Sequence, residues 1–248
     1  MNRELRKMTW PEFKDALAEK PIILPTGSTE QHGYHLPLSV DVITTHNLSL
    51  LLAEEIDGIV APPIVYGYKS KPSSGGGPLF PGTIDLNGDT LVRVAYDILA
   101  EFARDGAKYV LIVNGHYENE AFIAEAMDLV TKNFEMTVVM ASWWDLIPAE
   151  VVNKVFDEVP FPGWDLEHAA LTETSMVMHF APELVHMERY IDEPVFERIP
   201  YHIYPVKPGL VPKSGPLATA RSASAEKGKL MTDAVIKEYS KIYHKTRK

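Results

Sequence analysis

Between residues 89 and 113 the apolar pattern of this chain changes period, and that change constrains the fold more than any other feature. Leu91, Val94, Ala95, Ile98, Leu99 and Phe102 form one stripe at helical spacing, and Gly106 is placed to stop the helix. The spacing predicts a helix over 89–104. Directly after it, Tyr-Val-Leu-Ile-Val at 109–113 has no polar face. A strand apolar on both sides is the kind found inside a parallel sheet with helices over both faces.

The same alternation recurs along most of the chain. Strands are expected over 21–24, 59–65 and 137–143, and further helices from about 119 to 132 and over 223–243. Pro62 and Pro63 weaken the second strand, because proline cannot donate to a sheet ladder. The expectation is an α/β fold: a mostly parallel β-sheet flanked by helices on both faces, as a single layered α/β/α domain over residues 1–248. No internal repeat, low-complexity tract or linker interrupts it. The proline-rich stretch 194–216 carries Phe196, Tyr201, Ile203, Tyr204 and Val206, which points to a packed excursion at a subunit contact rather than a free tether.

Charge and composition exclude several functions. A net charge of −10 argues against nucleic acid and anionic lipid as partners. The chain has no cysteine, so disulfides and thiolate zinc sites are ruled out, and any metal must be held by His, Asp and Glu. Residues 1–13 lack the apolar core of a secretion signal, and the apolar run at 48–53 is too short to cross a bilayer. A cytoplasmic protein without membrane association is expected.

Two mirrored acid–imidazole pairs carry the chemistry. Glu30 and His32 follow the first predicted strand, and His116 and Glu118 follow the strand at 109–113. In open parallel sheets, ligands collect beyond the carboxyl ends of the strands. In an extended segment, alternate residues project to one side, so each pair can present both groups to one cavity. Asp41 adds a fifth ligand, although by itself it also suits a cap for a helix beginning near Thr44 or Thr45. Five hard-to-borderline ligands suit two divalent cations sharing a carboxylate, and metal-assisted hydrolysis. The loop Ser73-Ser74-Gly75-Gly76-Gly77 is no phosphate loop, since Pro78 and Phe80-Pro81 follow where a helix and a lysine are needed. Its glycines instead permit close backbone approach to a small flat molecule, with Ser74 as a hydrogen-bonding partner.

Pro25-Thr26-Gly27-Ser28-Thr29-Glu30-Gln31-His32-Gly33, followed by His35-Leu36-Pro37-Leu38 and Asp41, resembles the first motif of the creatininase (creatinine amidohydrolase) family. Asn114-Gly115-His116 with Asn119-Glu120 resembles the second. Tyr66-Gly67-Tyr68-Lys69-Ser70, Phe80-Pro81-Gly82-Thr83 and Gly163-Trp164-Asp165-Leu166-Glu167-His168 resemble creatininase proper within that family, as does Tyr117-Glu118, where many members carry two glycines. Tyr34 and Lys71-Pro72 depart from the usual pattern.

The resemblance implies two divalent ions per subunit, zinc, manganese or both. Glu30, Asp41 and His116 would hold one, and His32, Asp41 and Glu118 the other. It further implies His168 as proton shuttle with Glu118 as a second catalytic group, and Ser74, Tyr117, Trp144, Trp164 and Asp165 with His168 as substrate-binding residues. Trp144 would be a mobile gating tryptophan, and Glu167 or Asp165 would orient His168. A period of two turns the Tyr117 ring away from the ligands, so its part in binding falls to its backbone. The implied activity is reversible opening of the cyclic amide of creatinine to creatine by hydroxide formed on the metals, in a homohexamer. Related chemistry on another small amide is the alternative: a formamide deformylase of flavin or deazaflavin biosynthesis, with Lys69 or Lys71 serving a substrate phosphate, or a peptidase of redox-cofactor maturation. A non-catalytic binder on the same scaffold is disfavoured, because all five ligands and His168 are present.

Overall fold

Two strands with every residue buried, Ile22–Thr26 (β1) and Tyr109–Asn114 (β3), lie side by side at the centre of a four-stranded sheet. Ile59–Val60 (β2) pairs with β1 and Thr137–Ser142 (β4) with β3, giving the order β2-β1-β3-β4 with all neighbours parallel. The computed structural model of the chain describes residues 3–71, 74, 77–193, 199 and 201–247.

Alternation along the two central strands divides the core. Ile23, Leu111 and Val113 face one way, packing with apolar residues of Val40–Ile56 (α2), Ala149–Val155 (α5), Leu171–Phe180 (α6) and Ala225–Thr246 (α7). Ile22, Leu24, Val110 and Ile112 face the other, against Trp10–Leu17 (α1), Gly88–Arg104 (α3) and Glu120–Asn133 (α4). Burying each such aliphatic side chain is worth about 1.5–3 kcal/mol, so the double-sided sheet is the main stabilising feature. The expected stripe of α3 is the buried one, with Leu91, Ala95 and Leu99 fully inside. Tyr239 ties α7 to the sheet by donating its hydroxyl to the Ala141 carbonyl at 2.7 Å.

The α/β class, the parallel sheet and the helices on both faces are as expected, with local differences. The strand expected over 59–65 is only two residues long, because Pro62 and Pro63 break the ladder before Ile64 rejoins it, donating to the Pro25 carbonyl at 3.0 Å. The strand expected to reach 143 ends at Ser142, and Trp143–Leu146 forms a 3-10 turn. α2 begins at Val40, so Asp41 lies inside its first turn rather than capping a helix at Thr44 or Thr45. In the proline-rich stretch, Phe196 and its neighbours at 194–198 lie outside the described residues. Tyr201 and Tyr204 are exposed rather than packed on this chain. Among the described residues no helix is long and apolar enough to cross a membrane.

Candidate metal centre

The site forms where β1 and β3 end together, with Thr26 opposite Asn114 in the sheet register. A glycine follows each strand. A Cβ on Gly27 would lie 2.6 Å from Asp41 Cβ, and one on Gly115 would lie 2.5 Å from Thr45 Cγ2. Only glycine at both positions lets the first turns of α2 settle on the strand ends, which places Asp41 between the two ligand segments. The Ser28 amide donates to Asp41 Oδ2 at 2.9 Å. Side-chain amides brace the rest: Asn119 donates to the Gly27 carbonyl at 3.0 Å and accepts from the Tyr68 amide at 2.8 Å. Asn114 donates to the His116 carbonyl at 2.9 Å.

Glu30, His32, Asp41, His116 and Glu118 are all buried, and all five are brought to this one end of the sheet. Convergence does not come from strand pleating, however. Glu30 and His32 sit in an irregular segment, and Glu118 lies in a 3-10 turn, Tyr117–Asn119. His116 Nδ1 lies 2.9 Å from Glu30 Oε1 and 3.3 Å from Asp41 Oδ2. His32 Nε2 lies 3.1 Å from Asp41 Oδ1 and 3.5 Å from Glu173 Oε2.

Each imidazole is fixed by a backbone carbonyl, which only accepts. His116 donates from Nε2 to the Tyr68 carbonyl at 2.8 Å, and His32 donates from Nδ1 to the Glu30 carbonyl at 3.2 Å. The opposite nitrogens, His116 Nδ1 and His32 Nε2, therefore turn their lone pairs toward carboxylate oxygens. Lone pair facing carboxylate is repulsive unless a proton or a metal cation lies between, and among the described residues His32 Nε2 is buried without a hydrogen-bond partner. Carbonyl-oriented imidazoles of this kind are the usual surroundings of a metal. Protons reveal the same demand. Burial depresses both imidazoles, yet the surrounding carboxylates, led by Glu173 for His32 and Glu30 for His116, hold them well above the ordinary histidine range. Burial pushes the Glu30 and Asp41 carboxyls up, but the two imidazoles bring both to a net position below the usual range.

Two triads have ligand atoms within 4.8 Å of one another around Asp41: Glu30, Asp41 and His116, and His32, Asp41 and Glu173. Glu173, in the first turn of α6, was not foreseen. The carboxylate expected beside His32 was that of Glu118, which instead lies 3.6 Å from His116 Nε2, with Ser74 Oγ donating to its Oε1 at 2.7 Å. Glu30, Asp41, Glu118 and Glu173 together bring four negative charges to one cleft, the charge that two divalent cations balance.

Beside these groups opens a cavity of about 210 Å³. Ser74, Tyr117, Trp144, Trp164, Asp165 and His168 all line it. Ser73, Gly75 and Gly76 of the glycine loop lie outside the described residues. The Tyr117 ring itself forms part of the wall, stacked on Trp144 at 6.1 Å between centroids, because a 3-10 turn does not alternate its side chains as a strand does. Trp143 is a core residue, 2% exposed. Gly163, at φ +99°, allows the turn that carries Trp164 and Asp165. His168 sits with its ring 4.7 Å from that of His32, and Gln31 Nε2 lies 2.8 Å from His168 Nε2. Glu167 also lines the cavity, but its Oε2 is taken up by the Thr172 amide and hydroxyl, from which it accepts, and burial raises the carboxyl to about 7. Lys69 donates to Asn87, whereas Lys71 lies on the wall, 5.2 Å from the centre of the Tyr117 ring. His202 also lines the cavity, a contribution no motif announced.

A family model described as creatininase, creatinine amidohydrolase, matches residues 6–243. The chain is 39% identical to a creatinine amidohydrolase of Pseudomonas putida over 240 residues, which covers 93% of this chain and 92% of that one. It superposes on a manganese creatininase with a TM-score of 0.95 at 36% identity, over 99% of this chain and 98% of that one. A mutant creatininase, solved both in complex with creatine and as a Zn-Zn type, gives the same TM-score of 0.95, identity of 36% and coverage of 99% and 98%.

Proposed function

The chain belongs to the creatininase family, and from that premise we propose that it opens the cyclic amide of creatinine to creatine, reversibly, at a centre of two divalent ions. The single observation that carries this reading is the pair of carboxylate–imidazole triads meeting at Asp41, with lone pairs aimed at carboxylates. Glu30, Asp41 and His116 would hold one ion, and His32, Asp41 and Glu173 the other. Zinc and manganese both suit oxygen and imidazole donors. When bound, the ions supply Lewis acidity toward the carbonyl and a water acidic enough to attack it at working pH.

The residues of the chain do the rest. Trp144, Tyr117 and Trp164 offer aromatic faces to a small flat ring, which supports positioning by stacking. Hydrolysis adds water across the amide: the oxygen bonds to the carbonyl carbon, the C–N bond breaks, and one proton must move from water to the departing nitrogen. Glu118 and His168 face the cavity with the means to handle that proton. Ser74 holds the Glu118 carboxylate in place from the glycine loop.

Metal content and creatinine turnover measured on one preparation test the reading. Two equivalents of metal with creatinine hydrolysis are expected; two equivalents with no creatinine turnover, but brisk hydrolysis of another amide, would move the substrate and keep the chemistry. A second reading, a small amide bearing an acidic group, is favoured by Lys71 on the cavity wall. Faster hydrolysis of a phosphorylated formamide than of its unphosphorylated counterpart or of creatinine would establish it.

A further inference from the structure

We infer that Gln31 is a positioning residue that holds His168 in one neutral tautomer, with the proton on Nδ1, so that His168 serves the substrate as a hydrogen-bond donor and Glu118 carries the proton. The orientation of the Gln31 amide settles the donor. The Gly33 amide can only donate, and it points at Gln31 Oε1 at 2.9 Å. The Gly215 carbonyl can only accept, and Gln31 Nε2 lies 3.4 Å from it. Two backbone groups thus identify the NH₂ end independently. That NH₂ lies 2.8 Å from His168 Nε2, which must therefore accept. A proton on Nε2 would face an N–H of the amide, so the neutral ring carries its proton on Nδ1. His168 lines the cavity, so with Nε2 accepting from Gln31 the N–H that its neutral ring can offer a bound molecule is Nδ1–H.

The consequence divides the labour. A neutral imidazole used as an N–H donor polarises a carbonyl or steadies a departing nitrogen, and it does not need to accept a proton. The proton released by water then bonds to a Glu118 oxygen, and the same proton passes to the ring nitrogen as the C–N bond breaks. The Gln31 amide can hold its orientation because it is 5% exposed and backed by the loop at 215. Gly215 has φ +103°, and a Cβ there would lie 2.1 Å from Gln31 Oε1.

The inference rests on the proposed amidohydrolase reading only for the role of His168, and the tautomer is measured on the resting protein without substrate. Ring nitrogens labelled with ¹⁵N, with His168 assigned from a His168→Gln variant, should show a protonated Nδ1 and an unprotonated Nε2 in the neutral ring. Gln31→Glu places a carboxylate opposite Nε2 and should move the proton to Nε2. The expected kinetic result is a fall in kcat of about tenfold to a hundredfold, with KM and metal content nearly unchanged. Gly215→Ala presses on the same amide from the other loop and should loosen the same tautomer, which keeps the test open if Gln31→Glu loses metal. A parent ring protonated on Nε2, or a Gln31→Glu protein that keeps its metals, its tautomer and its kcat, overturns the inference. Absence of creatinine turnover with the expected tautomer would count against the substrate alone.

Discussion

Glu167→Gln should make the protein more stable at alkaline pH and flatten its response to pH. Glu167 is buried, with Oε1 lacking a hydrogen-bond partner among the described residues and Oε2 accepting two bonds from Thr172. Burial raises its carboxyl to about 7 against the lowering effect of those two bonds, and Glu173 adds to the rise. A free glutamate titrates near 4.5, so in the unfolded chain this proton leaves first. The contribution is therefore fully present below about pH 4.5 and is lost as pH rises through about 7, after which it levels off. At about 1.4 kcal/mol per pH unit, the displacement corresponds to at most about 3.5 kcal/mol. Glutamine keeps the acceptor for Thr172 and never ionises, although its NH₂ meets the place where Oε1 has no partner. That cost is constant with pH, so the slope is the measurement. Urea unfolding of both proteins in chelator, from about pH 5 to about pH 9, should show the parent losing about 1–3 kcal/mol relative to the variant. Parallel curves across that window would refute the reasoning, because they would mean that Glu167 is ionised and solvated in the folded protein.

Three further outcomes are expected. Glu173→Gln should lose one of two metal equivalents, measured by elemental analysis, because its carboxylate is the one beside His32 and Asp41; loss in Glu118→Gln but not in Glu173→Gln would reverse the assignment. Gly115→Ala should destabilise the fold by about 1–3 kcal/mol in denaturant and weaken metal binding, since the new Cβ meets Thr45 Cγ2 at 2.5 Å and the Asp41 carbonyl at 3.0 Å. Tyr239→Phe leaves the half-buried Ala141 carbonyl without the Tyr239 hydroxyl and should cost about 1–2 kcal/mol in the same assay, with metal content unchanged.

What could be read from the sequence followed from where its physical cause lies. β3 was legible because a strand buried on both faces must be apolar throughout, and α3 because one buried face leaves a stripe. α6 left no such trace. Leu171, Thr172, Thr174, Ser175, Met176 and Val177 are buried around most of its circumference, so it has no stripe to find, and Glu173 was hidden with it. The one available signal was an acid standing alone in the otherwise uncharged run 169–178. Tyr117 was misplaced because alternation was applied to a segment that turns as a 3-10 helix. The five residues expected as ligands converge for a reason other than the one expected: glycines at 27 and 115 admit α2, and side-chain amides hold the loops. The Gln31–His168 bond marks the boundary most sharply. Both residues stand in motifs plain in the sequence, but what orients the amide includes Gly215, which lies 184 positions along the chain from Gln31. Local period carries the elements of this fold, whereas the direction of a hydrogen bond at its centre is decided by a loop that no spacing within either motif could bring into view.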